Sequence, residues 1–393
     1  MTSDLFVISQ GKNMRCGFTT GTCAALAALG SAKSLLSKKA YRGSLSVITP
    51  KGIRIEAEVN KSIYDPGSDT AVCSVIKDGG DDKDVTNDLE IFVRTEYISD
   101  SDNIEIEGGE GIGRVTREGL GLKVGEAAIN PVPKQMIENA VNEAREEAGY
   151  TGGIRCTLYI PNGEKIAEST FNKRLGIEGG LSIIGTSGIV EPMSEKAFSD
   201  AVCLEIRQLA AEGNKKILLT PGNYGKEYVK AMGLCRIPLV MCSNFIGDAL
   251  DACILYGFEE VLITGHAGKL LKLAGGIMNT HSRMADARME LITAHAAINN
   301  ASPELCRRLM EQDTTEEALK LLKETDIYET TVRSLLDKIQ YHLDERIRKD
   351  LAEGKIEIGA IIFSAPLGSD TGEDCKERLI GMTEAGERIF RRL

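Results

Sequence analysis

Between residues 181 and 277, short apolar runs alternate strictly with helix-patterned segments, and this alternation constrains the fold more than any other feature of the chain. Runs at 181–184, 216–220, 238–242 and 260–264 read as buried strands, and 194–212, 224–232, 246–256 and 267–277 read as helices. Each strand needs a crossover before the next can lie parallel to it, so the order predicts a parallel sheet with helices on both faces. Ligands in such a sheet bind beyond the carboxyl ends of the strands. The segments there are Gly185-Thr-Ser-Gly188, Thr220-Pro-Gly-Asn-Tyr-Gly225, Ser243-Asn-Phe-Ile-Gly-Asp248 and Thr264-Gly-His-Ala-Gly-Lys269, all small, hydroxylated or amide-bearing. Singly, each has the composition of any loop; together they predict a pocket for a polar small molecule.

Upstream the pattern differs. An alanine-rich helix opened by a threonine cap at 19–22 is followed by strand candidates at 44–49, 53–59, 71–76, 89–95 and 104–107, a helix at 133–148 and a strand at 154–160. Serial strands predict an α+β domain with a mostly antiparallel or mixed sheet. With 393 residues the chain can bury more than one core. The expected organisation is an α+β domain over 1–165 and a doubly wound, Rossmann-like α/β domain over 166–393. The second domain carries a helical annex at about 281–352, then a strand at 358–363 and a charged terminal helix.

Several function classes are disfavoured. The 58 acidic residues outnumber the 47 basic ones, giving a net charge of −11 and arguing against nucleic-acid or anionic-membrane surfaces. No apolar run approaches the length of a spanning helix, so a cytoplasmic protein is expected. The ten cysteines are scattered without a Cys-x-x-Cys, and His266, His281, His295 and His342 show no ligand spacing, so no protein-held metal is expected. Gly185-x-x-Gly188 is not a dinucleotide fingerprint, and the acidic loop Asp78–Asp88 lacks the spacing of a calcium loop. No nucleophile elbow or Walker loop occurs. His266, just past a strand end, and His281, in Asn279-Thr-His-Ser-Arg283, are the candidate acids, bases or anion donors. Lys269, Lys272, Arg283 and Arg288 give this region local positive charge; a solvated face with Asp286 and Glu290 is the plain alternative.

Seven blocks, taken in order, resemble one family. They are Arg15-Cys-Gly-Phe-Thr-Thr-Gly-Thr-Cys-Ala24, Lys77-Asp-Gly-Gly-Asp-Asp-Lys-Asp-Val-Thr86, Gly111-Ile-Gly-Arg-Val-Thr116, Ala128-Ile-Asn-Pro-Val-Pro133, Phe171-Asn-Lys-Arg-Leu-Gly176, the 179–193 segment, and Gly265–Ala274 with Asn279–Arg288. The chain resembles the cobalt-precorrin-5B C-methyltransferases of anaerobic cobalamin biosynthesis, the CbiD family. Cys16, Thr22 and Ala267 depart from the residues usual there, in ways that touch packing more than chemistry.

The resemblance implies transfer of a methyl group from S-adenosylmethionine to carbon 1 of a corrinoid, with cobalt arriving inside the substrate. Alignment and exclusion of water then matter more than a strong base. Under this reading Gly185, Thr186, Ser187, Gly188, Thr264 and Gly265 would hold the cosubstrate, with Glu191 as ribose acceptor. Lys173, Arg174, Lys269, Arg283 and Arg288 would meet the carboxylates of the macrocycle, and His266 or His281 would accept a proton or steady a carboxylate. A homo-oligomer is left open. The alternatives are a nicotinamide-dependent reductase, disfavoured by the missing fingerprint, and a non-catalytic corrinoid-binding protein.

Overall fold

Alanine on nearly every face lets α1 (Thr20–Ser37) be packed from all sides, and its side chains from Thr20 to Ala32 are fully enclosed. Thr19 caps its start by accepting from the Thr22 amide, and Lys38, in the left-handed conformation, closes its end on the carbonyls of Leu35 and Ser34. The structure, a computed structural model, describes residues 5–9, 11–170, 172–173, 175–349, 356–364 and 378–393. It divides into two compact units, Met1–Glu195 and Lys196–Leu393.

In the first unit the strands are β1 (Phe6–Ser9), β2 (Lys12–Arg15), β3 (Gly17–Phe18), β4 (Ser44–Ile48), β5 (Arg54–Glu58), β6 (Lys61–Asp65), β7 (Thr70–Ile76), β8 (Glu90–Ile98), β9 (Ile104–Gly108), β10 (Arg114–Val115), β11 (Gly153–Tyr159), β12 (Ile177–Glu178) and β13 (Ile189–Val190). Five of them form a sheet of order β6-β7-β8-β11-β9, antiparallel except for the parallel β9–β11 pair. This is the mixed sheet the serial strands predict. α1 lies across β7 and β8 and packs on α2 (Pro131–Ala148), where Gly30 lets the helix approach Cys73 and Leu45. α3 (Gly163–Ala167) is a single turn.

The second unit carries α4 (Glu195–Ala211), β14 (Lys216–Thr220), α5 (Asn223–Ala231), β15 (Leu239–Met241), α6 (Ile246–Leu255), β16 (Glu260–His266) and α7 (Ala267–Leu270). After these come α8 (Arg288–Ile298), α9 (Pro303–Met310), α10 (Thr315–Lys323), α11 (Tyr328–Lys349), β17 (Glu357–Phe363), β18 (Leu379–Met382) and α12 (Glu384–Arg392). The sheet order is β15-β14-β16-β17-β18, parallel but for the antiparallel last strand. Its strands are apolar on both sides, as a sheet covered twice requires. Ile217, Leu219, Val261, Ile263, Ile358 and Ala360 face α4, α6, α8, α10 and α11, whereas Leu218, Leu262, Ile361 and Phe363 face α5 and α12. Tyr228 of α5 stacks on Phe363 with ring centroids 3.4 Å apart.

Four expectations need correction. Residues 181–184 do not open the parallel sheet: Leu181 and Ile183 are bridged to Ile112 and Ile129 inside the first unit, and their side chains belong to its core. For that reason the units divide at 195/196 rather than 165/166. The helix expected over 267–277 is α7 followed by a 3-10 turn, Leu271–Gly275, stopped by Gly276 in the left-handed conformation. The annex is helical only from Arg288, because 279–287 is held open by polar contacts described below, and 350–352 lie outside the described residues. The antiparallel β18 is absent from the sequence expectation.

Candidate functional site

In the first unit, three of the glycine-rich blocks meet at the start of α1. Gly17 lies flat on the 78–80 backbone: a Cβ there would stand 2.3 Å from the Asp78 carbonyl oxygen, and one on Gly80 would stand 2.3 Å from that of Arg15. Hydrogen bonds close the contact, with the Phe18 amide donating to the Asp78 carbonyl (2.8 Å) and the Asp81 amide to the Arg15 carbonyl (2.9 Å). Arg15 grips Asp78 with both terminal nitrogens, at 2.5 and 2.7 Å, and the guanidinium holds that carboxyl below its usual range. Lys77, only 1 % exposed, donates to Asp84 at 2.8 Å. Burial pushes the Asp84 carboxyl up, but the bonds from Lys77 and Thr86 more than offset this and leave it low.

Residues 184–188 close the same cluster. The Gly21 amide donates to the Ile184 carbonyl (3.2 Å), and the Thr19 amide and Thr22 hydroxyl donate to that of Gly188 (3.1 and 2.7 Å). A Cβ on Gly185, which has φ +138°, would fall 2.3 Å from the Thr19 hydroxyl. Ser187 turns its hydroxyl to the Ile189 carbonyl, Glu191 pairs with Lys51, and Thr186 is exposed. The glycines here are explained by packing, Gly185 on Thr19 at the start of α1 and Gly188 on Thr49 and Thr22. Gly185, Thr186, Ser187, Gly188 and Glu191 do not follow a strand of the parallel sheet, which was the reason for grouping them with Thr264 and Gly265. Lys173 is exposed, and Arg174 lies outside the described residues. A surface cavity of about 340 Å³ in this unit is lined by Phe18, Glu56, Ala57, Glu58, Val59, Asn60, Ile76 and Asp78; it has no basic residue and so suits no polycarboxylate.

In the second unit Thr264, Gly265, His266 and Lys269 do stand at the carboxyl end of the parallel strands. Among the described residues the Thr264 hydroxyl is buried without a hydrogen-bond partner. Gly265 packs on Pro221, whose carbonyl accepts from Lys269 Nζ at 2.7 Å, and burial lowers the pKa of that ammonium. His266 caps α7: Nδ1 accepts from the Gly268 amide (3.1 Å), so Nε2 carries the proton and donates to the Ser364 carbonyl (3.0 Å). Glu316 Oε1, itself buried, stands 2.6 Å from the same Nε2. Tyr224, at the start of α5, places its ring centroid 6.3 Å from that of His266.

The 279–288 segment is a separate polar knot. Lys272, 3 % exposed, donates to the carbonyls of Thr280 (3.2 Å) and Ala285 (2.8 Å). His281 Nδ1 accepts from the Arg283 amide (3.1 Å). Arg288 is bound by both Nε and a terminal nitrogen to Asp286, each at 2.7 Å, whereas the exposed Arg283 guanidinium has no such partner among the described residues. Of the expected substrate donors, Arg288 is therefore committed to the protein and Arg283 is open. Sequence reasoning missed Tyr224 and Glu316. The first lay inside a quoted loop; the second sits in an amphipathic helix start that carries no site signal.

The described residues contain no group of three or more His, Cys, Asp or Glu arranged to hold a metal, and no helix long and apolar enough to cross a membrane. The sequence family described as CbiD matches residues 7–192, and that described as CbiD, C-terminal domain, matches residues 279–367. A relative from Ruminiclostridium cellulolyticum, named cobalt-precorrin-5B C(1)-methyltransferase, is 43% identical over 389 residues, covering 99% of this chain and 97% of its own. One of the same name from Alkaliphilus metalliredigens is 43% identical, covering 92% and 93%. The crystal structure of a cobalamin biosynthesis protein (CbiD) from Archaeoglobus fulgidus is 27% identical, covers 73% of this chain and 89% of its own, and superposes with a TM-score of 0.40.

Proposed function

The chain belongs to the CbiD family, and from that premise we propose that it is an S-adenosylmethionine-dependent methyltransferase acting on carbon 1 of cobalt-precorrin-5B to give cobalt-precorrin-6A in anaerobic cobalamin biosynthesis. The observation that carries the proposal is the 43% identity sustained over 99% of the chain to a relative bearing that name. The second unit is read here as a doubly wound, Rossmann-like ligand domain, with helices on both faces of a parallel sheet and small polar loops at its carboxyl end.

The residues present fit a methyl donor at that edge. Thr264 offers a buried hydroxyl that has no partner among the described residues, and Gly265 lies beside it against Pro221. Thr264 and Gly265 would hold the donor, which supplies an activated methyl on a sulfonium. His266 keeps its tautomer fixed by the cap and orients the strand end rather than offering a free base. Arg283, exposed in the second unit, would meet a substrate carboxylate. His281, with Nδ1 accepting from a backbone amide, presents Nε2 as its remaining polar atom. The cobalt belongs to the substrate.

Isothermal titration with S-adenosylhomocysteine tests the reading. Micromolar binding that NADPH does not displace supports it; binding of NADPH alone returns the chain to the reductase alternative.

A further inference from the structure

We propose that the crevice between the carboxyl ends of β14 and β16 takes a nucleoside, with its base on the Tyr224 ring and its ribose hydroxyls on the Glu316 carboxylate. The inference rests on the methyl-donor reading above and assigns the adenosine half of that donor to residues not otherwise assigned.

Strand order locates the crevice. β14, first of the parallel strands in the chain, has β15 on one side and β16 on the other, so the winding reverses between β14 and β16. The helix after β14 packs Tyr228 and Val229 on one face of the sheet, and the turns after β16 pack Leu270 and Leu273 on the other. Elements leaving to opposite faces open a gap above the strand ends, the general binding position of open parallel sheets. His266 stands in that gap with both ring nitrogens engaged, its ring centroid 6.3 Å from that of Tyr224 and its Nε2 2.6 Å from Glu316 Oε1.

Beside it is Tyr224, 48% exposed, a large aromatic face at the carboxyl edge of the sheet. Also beside it is Glu316, whose buried Oε1 lies 2.6 Å from His266 Nε2 while its side chain is 43% exposed, which leaves Oε2 as the oxygen within reach of a ligand. The hydroxyl of neighbouring Thr315 is also buried and unpartnered among the described residues. A first-turn glutamate serving only the α10 dipole would turn both oxygens to water. A part-exposed carboxylate anchored at His266 by one oxygen, near an aromatic face, suits a ligand offering a pair of hydroxyls and a flat ring, as a purine riboside does. It repels a phosphate or carboxylate, and the nearby Lys269 is already bound to the Pro221 carbonyl, so a nucleoside fits and a nucleotide's phosphates do not.

The test titrates S-adenosylhomocysteine and its 2′-deoxy analogue into the full chain and into Tyr224→Ala, Tyr224→Phe and Glu316→Gln. Loss of the stack is expected to weaken binding about tenfold in Tyr224→Ala, with Tyr224→Phe close to the parent. The parent is expected to prefer the ribose form about tenfold, a preference that Glu316→Gln removes. If the parent binds S-adenosylhomocysteine but the variants bind it equally well, or the parent does not distinguish the deoxy analogue, the assignment is overturned while the donor reading stands. If the parent binds neither, both are overturned. The ribose preference is read on the unmodified protein, so it decides even if a variant folds poorly.

Discussion

Replacing Gly17 by alanine should damage the first unit more than a single methyl suggests. The added carbon would stand 2.3 Å from the Asp78 oxygen, 2.3 Å from the Gly79 carbonyl carbon and 2.5 Å from the Gly80 nitrogen, all backbone atoms that no rotamer change can move. Ordinary contact needs about 3.5 Å, so the two segments must part by about 1 Å. That separation breaks the Phe18 to Asp78 and Asp81 to Arg15 backbone bonds and the 2.7 Å bond from the Arg15 amide to the Asp81 carboxylate. At about 1 kcal/mol for each of the three bonds and about 1–3 kcal/mol of overpacking, the expected cost is about 4–6 kcal/mol. Hydrogen exchange read by mass spectrometry reports this unit separately, and protection of α1 should fall by at least a hundredfold. A fall of less than about threefold would mean that the segments part freely, and would refute the argument that glycine is required on both sides.

Asp78 and Asp84 are held below the ordinary carboxylate value, so the stability they contribute is complete above an unfolded pKa of about 3.9 and is lost as pH falls through their lower folded values. An Asp78→Asn variant should be less stable than the parent at pH 7 and should show a shallower decline below about pH 4, measured by thermal unfolding; an unchanged acid limb counts against the Arg15–Asp78 pair. Burial pushes the thiols of Cys73, Cys156 and Cys242 up to about 12 and raises those of Cys23 and Cys253 further. A maleimide at pH 7 should therefore label exposed Cys235 and spare these five, as peptide mapping can show. Lys272→Met fills the same space but frees the carbonyls of Thr280 and Ala285, and should cost about 1–3 kcal/mol with amide exchange rising most over 280–286.

The alternation of strands and helices was readable because a buried parallel strand must be apolar on both faces, and β14, β15, β16 and β17 all lie where their apolar runs place them. Residues 181–184 carry the same signature for a different reason. Leu181 and Ile183 face the core of the first unit, and composition alone cannot distinguish that from a parallel strand. The glycines at 185 and 188 read as room for a ligand, whereas the nearest atoms are Thr19 and Thr49. His266 was found by its place after a strand, but its capping role depends on the Gly268 amide and the Ser364 carbonyl, the latter 98 residues away. Glu316 was invisible for the same cause: its proximity to His266 is created by tertiary folding of the annex, and no local spacing encodes it.

The most direct test of the account incubates the purified chain with cobalt-precorrin-5B and S-adenosylmethionine carrying a ¹³C-labelled methyl group. The account predicts one labelled methyl on the macrocycle, assigned by NMR to carbon 1, with one S-adenosylhomocysteine formed for each. Product lacking the label, or label at another carbon, would contradict it.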